Sequence, residues 1–198
     1  TARAEESLKE SEAKYQDLYD NAPDMFISVK AATGKVVRCN QTLITATGYA
    51  REEIVGCHIS EVYHPDCRAG LEKASQLFKE TGEVHDVELQ LKRKDGRKIE
   101  ISLSVSAVRD EEGNVLYSRS ILRDITKRKR VEETLRVSEE QVRLLLYSTA
   151  EAIYSLDMQG NCTFFNPACL KLLGYKKATD LLGQNMHALI HHSHADGA

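Results

Sequence analysis

Three histidines, His191, His192 and His194, form the densest set of side chains in this sequence that are able to hold a metal ion. Imidazole nitrogens are common zinc ligands, so one interpretation is a metal-dependent enzyme that loses its ion and its activity on chelation. The alternative is structural, because a shift of 127 residues aligns His64 with His191 and places that position in a loop between helices. We favour the loop and assign no metal.

Cys57 and His58 are the next candidates for chemistry, because an imidazole beside a thiol can lower the pKa of the thiol and make it a nucleophile. We favour a surface or half-buried turn for this pair. The sequence has no P-loop, no G-x-S-x-G motif, no glycine-rich nucleotide loop and no histidine in a helical phosphoacceptor motif. We therefore expect no catalytic residues and no enzymatic activity in this chain.

Lys127 to Arg130 is a run of four basic residues that could contact phosphate groups. An alternative function is therefore a nucleic-acid-binding or transcription-regulating module, whose affinity would fall steeply with salt. Glu132 and Glu133 follow the run at once, and a net charge of −3 gives the chain no general attraction to nucleic acid or anionic membrane. We favour a solvated helix face and expect no nucleic-acid partner.

The composition, with 41% hydrophobic and 29% charged residues among 198, is that of a globular protein long enough for one large or two small domains. No apolar stretch approaches the roughly 20 residues that a membrane-spanning helix needs, so we expect no membrane contact within this chain. The five cysteines form no C-x-x-C pair, which favours reduced thiols in a cytoplasmic protein.

The basic run belongs to a long helical segment, Asp124 to Ala150, that separates two similar stretches of sequence. The segment contains no glycine or proline, and Asp124 and Thr126 can cap its first turn. Its apolar residues are spaced four, seven and three apart, which is a short heptad pattern, and residues 1 to 22 repeat it. A lone surface helix is the alternative. The predicted seam of a homodimer consists of Leu8, Tyr15, Leu18, Val131, Leu135, Val142 and Leu145.

The two stretches are copies of each other. A shift of 127 residues places Leu18 on Leu145, and after a one-residue gap Asn40 falls on Asn166. A repeat of this length indicates two copies of one domain, each entered through a helix. The expected division is an N-terminal helix at 1–22, a complete domain at 23–126, a helical connector at 127–149 and the first half of a second domain at 150–198.

The order of elements in the first copy predicts the fold class. Two strands with alternating apolar residues come first, several short helices follow, and three more strands end the copy. Asn40 is expected to cap a helix that ends at Gly48, and Asn166 followed by Pro167 repeats the signal. We therefore predict an α+β fold, a five-stranded antiparallel sheet with its helices on one face, flanked by long amphipathic helices.

This order, with its motifs, resembles the PAS domain family of sensory modules. The second copy lacks the long helix and three of the five strands, so it is expected to be incomplete. The D-I-T run at the end of the first copy is similar to the signature through which such domains pass into a helix, which implies signal transmission at Asp124, Ile125 and Thr126. The motifs are Asn40 through Gly48-Tyr49, Ile54-Val55-Gly56, His64-Pro65-Asp66, Lys94-Asp95-Gly96, Asp110 to Gly113 and Arg123-Asp124-Ile125-Thr126.

The resemblance also implies a ligand pocket between the sheet and the helices, although the same side chains could simply fill the core. Light-sensing flavin domains of the LOV branch carry Asn-Cys-Arg where this sequence has Cys57-His58-Ile59, and haem-binding members place a histidine on the long helix, where residues 66 to 82 have none. The sequence gives no support for covalent flavin or haem, and the cofactor is unknown. The implied lining residues, or their neighbours, are Phe26, Ile44, Ile54, Leu71, Leu89, Leu103 and Ile121.

We interpret the chain as the sensory and signal-transmitting part of a multidomain signalling protein of bacterial type. It is expected to detect a small ligand, a redox change or a partner in the pocket and to relay the signal through the connector helix. By resemblance, the output domain of the same polypeptide is expected to be a histidine kinase, with a diguanylate cyclase or a transcription activator as other candidates.

Overall fold

A computed structural model describes residues 2–190 of the chain, with side chains from residue 6 onward. The chain divides into two compact units, Thr1–Arg130 and Val131–Ala198. The longest helix begins in the first unit and ends in the second.

The first unit is built on one antiparallel sheet. Its five strands are β1 (Met25–Lys30), β2 (Val36–Cys39), β3 (Glu83–Lys92), β4 (Lys98–Arg109) and β5 (Val115–Asp124). They lie in the order β2-β1-β5-β4-β3, so the last strand occupies the centre of the sheet. Glycines at positive φ, Gly34 at 65° and Gly96 at 83°, form the turns between β1 and β2 and between β3 and β4.

The helices of this unit are α1 (Ala2–Asp20), α2 (Gln41–Thr47), α3 (Arg51–Ile54) and α4 (Arg68–Thr81), with short 3₁₀ turns at Ile59–Glu61 and Pro65–Cys67. As the sequence predicted, the Asn40 side chain accepts a hydrogen bond from Leu43 N at 3.1 Å and caps α2, which ends at Gly48 with a φ of 76°. The 3₁₀ turn that begins at Pro65 leads directly into α4, which is α-helical from Arg68.

The core of the first unit lies between one face of the sheet and helices α2 to α4. Met25, Ile27 and Val29 of β1 point into it, as do Leu43 of α2 and Leu122 of β5. Their alternation with less buried neighbours along the strand follows the pleat of a sheet that has one face on the core. The predicted α+β class, with a five-stranded antiparallel sheet, is confirmed.

The second unit contains the end of α5 (Thr126–Ser148), the hairpin β6 (Tyr154–Leu156) and β7 (Cys162–Phe165), and the helices α6 (Pro167–Leu172) and α7 (Met186–Ile190). A small core forms around Cys162, Leu181 and Met186. Within the described residues β6 pairs with β7 alone and all three of its residues are exposed. By contrast β1, its counterpart in the repeat, lies between two strands.

None of the helices within residues 2–190 combines the length and the apolar character that crossing a membrane requires.

Candidate functional site

Five of the seven predicted pocket residues lie together on the helix side of the sheet. Ile54, Leu89 and Leu103 are each only 3% exposed and belong to the main core. Ile44 of α2 and Leu71 of α4 pack against the same cluster. The sequence therefore identified one connected group of side chains drawn from three helices and two strands.

The contact between α4 and the sheet is close at this cluster. A Cβ atom added to Gly70 of α4 would come within 2.9 Å of Leu89 Cδ2 on β3. Glycine at this position lets the helix approach the strand, and the side chains between them fill the space as a packed core.

The structure corrects the placement of Phe26 and Ile121, which lie on the opposite face of the sheet. The two residues are partners in the register of β1 and β5, and Ile121 is 44% exposed. Their neighbours Ile27 and Leu122 face the core instead, with 1% and 0% of their surfaces exposed. Because successive side chains of a strand alternate between faces, the predicted positions were off by one residue on each strand.

The three predicted transmission residues form the junction between the sheet and α5. Ile125 N donates to Glu100 O at 2.8 Å, and Glu100 N donates back to Thr126 Oγ1 at 3.0 Å. Asp124 Oδ1 accepts from Thr126 N at 2.8 Å and caps the start of the helix, while the Ile125 side chain is buried at 6% exposure. The first turn of α5 is thus fixed to β4 through the backbone N–H and C=O of Glu100.

Glu88 on β3 provides a second attachment of α5 to the sheet, which the sequence did not predict. Arg128 Nη2 donates to Glu88 Oε1 at 2.6 Å, and Lys129 Nζ pairs with the other carboxylate oxygen. The hydrogen bond from Lys129 lowers the pKa of Glu88 from its ordinary value. Arg128 lies 40 residues from Glu88, and no short-range pattern in the sequence relates the two.

The contacts with Glu88 also occupy part of the basic run at residues 127–130, the candidate nucleic-acid-binding segment. Two of its four cations, Arg128 and Lys129, bind a carboxylate of their own unit. Their charge is therefore partly neutralised within the domain, and their side chains serve the attachment of α5 to the sheet.

Asn40 ties the end of α1 to the first unit. Its Nδ2 donates to Tyr19 O at 3.1 Å and to Asp24 O at 3.0 Å, and its Oδ1 accepts from Phe26 N at 2.9 Å as well as from Leu43 N. The residue is 0% exposed, so all four bonds are sheltered from water. The sequence predicted only the bond that caps α2.

Asn166 does the same for the end of α5 in the second unit. Its Nδ2 donates to Leu146 O at 3.0 Å and to Glu151 O at 2.8 Å, while its Oδ1 accepts from Ile153 N and Cys169 N. This residue is also 0% exposed. The repeat therefore extends to the hydrogen bonds through which each unit holds the helix that enters it.

The seven residues of the predicted seam are all exposed within the single chain. Their exposed fractions run from 53% at Val142 to 73% at Leu18. Tyr15 also contacts its own unit, because its ring stacks on Tyr19 at 6.5 Å and lies 5.7 Å from the Arg38 guanidinium. Apolar side chains left in water at heptad spacing favour burial against a second helix.

The Cys57 and His58 pair shows no activated thiol. Burial raises the pKa of the Cys57 thiol, which opposes formation of a thiolate. His58 Nδ1 lies 2.7 Å from Ser60 Oγ and accepts from Ser60 N, so the imidazole caps the 3₁₀ turn that follows it. The remaining candidates for metal chemistry, His191, His192 and His194, lie outside the described residues.

Comparisons with known proteins agree with this architecture. A family model described as "PAS domain" matches residues 23–127, and one described as "PAS fold" matches residues 140–197. The chain is 29% identical over 126 residues to Sensor protein FixL of Bradyrhizobium diazoefficiens, which covers 64% of this chain and 25% of that protein. It is 26% identical over 185 residues to Sporulation kinase A of Bacillus subtilis, which covers 89% of this chain and 28% of that protein.

A solved structure, the PAS domain of an HTR-like protein from Haloarcula marismortui, superimposes with a TM-score of 0.52 at 26% identity and covers 63% of this chain and all of that one. An antiparallel sheet with helices on one face and a long helix leaving its last strand is the architecture of a sensory α+β domain. The chain belongs to the PAS domain family. It is a PAS region of a signalling protein and spans about a quarter of the length of the curated relatives it matches.

Proposed function

We propose that the chain senses a small ligand, a redox change or a partner at the core cluster of its first unit and relays the signal through α5. The observation that carries this proposal is the junction at Glu100, whose backbone C=O accepts from Ile125 N and whose backbone N–H donates to Thr126 Oγ1, so that two hydrogen bonds join β4 to the start of α5. A sensor needs a stiff connection between its sheet and its output helix, and this junction supplies one.

The relay follows from the position of Glu100 in β4. The residue lies between Ile99 and Ile101, which are 4% and 0% exposed in the core. A stimulus that changes the packing of α4 on the sheet displaces these side chains and so moves the backbone of Glu100. Ile125 and Thr126 move with it, because both are bonded to that residue. The result is a rotation or shift of α5 at its first turn.

The moving helix is expected to act within a homodimer. The exposed heptad residues of α1 and α5 are suited to pairing with the same helices of a second copy. Similarity to proteins named as a sensor and as a kinase supports a histidine kinase as the output domain of the same polypeptide. In a dimer of this kind, a rotation of the paired helices is transmitted to both output domains at once.

The second unit is proposed to be the first part of another PAS domain that receives the far end of α5. The support is Asn166, which repeats the bonds of Asn40, together with the exposed strand β6. In this arrangement α5 leaves one sensory domain and is held by the next.

The test is to change the phase of α5 in the full-length parent protein. One to seven residues of high helix propensity are inserted between Arg136 and Val137, and output activity is measured with and without stimulus. Each added residue turns the following helix by about 100°, while seven return the seam to nearly the same face. Regulation is expected to fail or invert for insertions of about two and five residues and to recover at seven.

The matched control places the same insertions at the exposed turn between Glu111 and Glu112, outside the relay, where regulation should persist at every length. An output that declines smoothly with insertion length in α5, or ignores it, contradicts the proposal and makes the helix a passive tether.

A further inference from the structure

A groove of about 620 Å³ lies on the outer face of the sheet, between the strands and α1. It is distinct from the core cluster, which occupies the opposite face. Aromatic and apolar side chains form its walls, among them Tyr15, Tyr19, Phe26, Tyr117 and Ile121. Its volume falls within the range of small-molecule sites, which are commonly about 300 to 1,000 Å³ and mostly apolar with a few polar groups.

The wall formed by α1 is held firmly against the sheet. The Tyr19 ring lies 5.6 Å from the ring of Phe26, and the Arg38 guanidinium lies 4.0 Å from the centre of the Tyr19 ring. Arg38 Nη2 also donates to Gln16 Oε1 at 2.7 Å. Together with the bonds of Asn40 to the end of α1, these contacts make the groove a formed feature of the unit.

The floor of the groove carries a row of polar side chains set by the strand register. Arg38 of β2 pairs with Ser28 of β1, Ser28 pairs with Arg119 of β5, and Arg119 pairs with Ser106 of β4. These four residues lie side by side across the sheet and share its outer face. Two guanidinium groups therefore flank a hydroxyl group, and a second hydroxyl lies beyond Arg119.

The charge of the groove is uncompensated at Arg119. The lining residues include two arginines and His85 but no aspartate or glutamate. Arg119 is exposed and has no hydrogen-bond or ion-pair partner among the residues that the structure describes. Arg38, by comparison, is occupied by Gln16 and the two tyrosine rings. A guanidinium group presents a planar fork of donors that matches a carboxylate.

From this arrangement we propose that the groove binds a small aromatic carboxylate. The Arg119 guanidinium accepts the carboxylate with help from the hydroxyls of Ser28 and Ser106, and the aromatic ring of the ligand lies against Tyr19 and Ile121. The site is separate from the core at which the sensing function is proposed, and it stands whether or not that function holds.

The experiment titrates the full chain, labelled with ¹⁵N, with phenylacetate and follows backbone amide shifts by NMR. Saturable shifts are expected at residues of the groove floor, such as Ser28 and Arg119. Arg119→Gln should weaken binding by about tenfold or more, the factor expected for loss of a charged hydrogen-bonded pair. Arg97→Gln, which removes the same charge from an exposed hairpin side chain, should leave binding unchanged. Phenylacetamide, which lacks the charge, should bind as weakly as phenylacetate binds to the Arg119 variant.

Three results would overturn the inference. The first is the absence of saturable shifts in the groove, and the second is equal binding of phenylacetate and phenylacetamide or of wild type and Arg119→Gln. The third comes from sedimentation velocity on the same samples. If Arg119→Gln alone converts a dimer to a monomer, the groove is covered by a second copy of the chain and is not a ligand site.

Discussion

Asn40 and Asn166 hold the ends of two different helices through the same four hydrogen bonds. In each case the side-chain amide donates to a carbonyl in the last turn of the entering helix, Tyr19 O or Leu146 O, at 3.1 or 3.0 Å. The side-chain oxygen accepts from Phe26 N within β1 or from Ile153 N directly before β6, and from Leu43 N or Cys169 N in the next helix. One buried amide thus joins helix, strand and helix in both units.

Asn40→Ala is expected to destabilise the first unit by about 3 kcal/mol or more, because it removes four bonds and leaves buried partners without hydrogen bonds. Urea denaturation followed by circular dichroism measures the change. Asn114→Ala, at an exposed turn where the side chain bonds Asp110, is the control and should cost less than about 1 kcal/mol. Equal effects of the two substitutions would show that Asn40 does not hold the end of α1 on the first unit.

Glu88→Gln should loosen the first turn of α5, since it removes the charge that binds Arg128 and Lys129. Amide protection at residues 127–130 is expected to fall about two- to fivefold at neutral pH, as for a partly exposed ion pair. Hydrogen exchange resolved by mass spectrometry provides the measurement. Glu72→Gln, which breaks an exposed pair with Arg68 on α4, should leave α5 unchanged.

The attachment of α5 by Glu88 is also expected to depend on pH. The pKa of Glu88 is lowered in the folded protein. The stabilisation that its carboxylate gives to the first turn of α5 is therefore present above the unfolded pKa of about 4.3 and is lost as the pH falls through the lowered folded-state pKa. The difference in protection between wild type and Glu88→Gln, compared at equal pH, should shrink to zero under acid conditions. A difference that persists at low pH would mean that the carboxylate charge does not hold the helix.

Tyr19→Phe should stabilise the first unit by about 1 kcal/mol near neutral pH, because the Tyr19 hydroxyl is buried without a hydrogen-bond partner among the described residues. The ring contacts with Phe26 and Arg38 are kept. Denaturation by urea gives the free energy of unfolding, and Tyr154→Phe, at an exposed tyrosine, should change it little. A loss of stability in Tyr19→Phe would show that the hydroxyl has a partner in solution.

Tyr19 is also expected to make the first unit less stable at alkaline pH. Burial raises its pKa to about 12, whereas an unfolded tyrosine titrates near about 10. The folded state favours the neutral phenol. The contribution of Tyr19 to the stability of the first unit is therefore complete below the unfolded pKa and is lost as the pH rises from about 10 towards the folded-state pKa. Between these limits the free energy of unfolding should fall more steeply in wild type than in Tyr19→Phe.

Leu135→Asp combined with Leu145→Asp should dissociate the proposed dimer, since burying two carboxylates in a helical seam costs several kcal/mol per dimer, roughly. Light scattering of the full chain reports the mass. Leu144→Asp changes a residue of the same helix that is 63% exposed and lies off the heptad, so it should leave the dimer intact. A monomeric wild type, or a dimer that survives both seam substitutions, contradicts the heptad assignment.

The sequence by itself determined the local elements and their order. Asn40 and Gly48 mark the start and end of α2 through side-chain capping and a left-handed backbone, which are interactions within a few residues of the chain. Alternating apolar residues predicted the strands, and the 127-residue shift predicted the repeat. These signals are local or periodic, so they can be recognised without knowledge of which elements pack together.

Only the tertiary structure decided which faces of β1 and β5 are buried. In β5 the core-facing positions include Ser118 and Ser120, 8% and 7% exposed, whereas the apolar Ile121 is 44% exposed on the outer face. The core face carries these serines together with the fully buried Leu122, so side-chain hydrophobicity does not separate the two faces of this strand, and its pairing with β1 and β4 sets the orientation. The attachment of Arg128 to Glu88 and of Asn166 to Leu146 likewise depends on residues far apart in the chain. Such contacts form only when folding brings the two residues together, so no local sequence pattern predicts them.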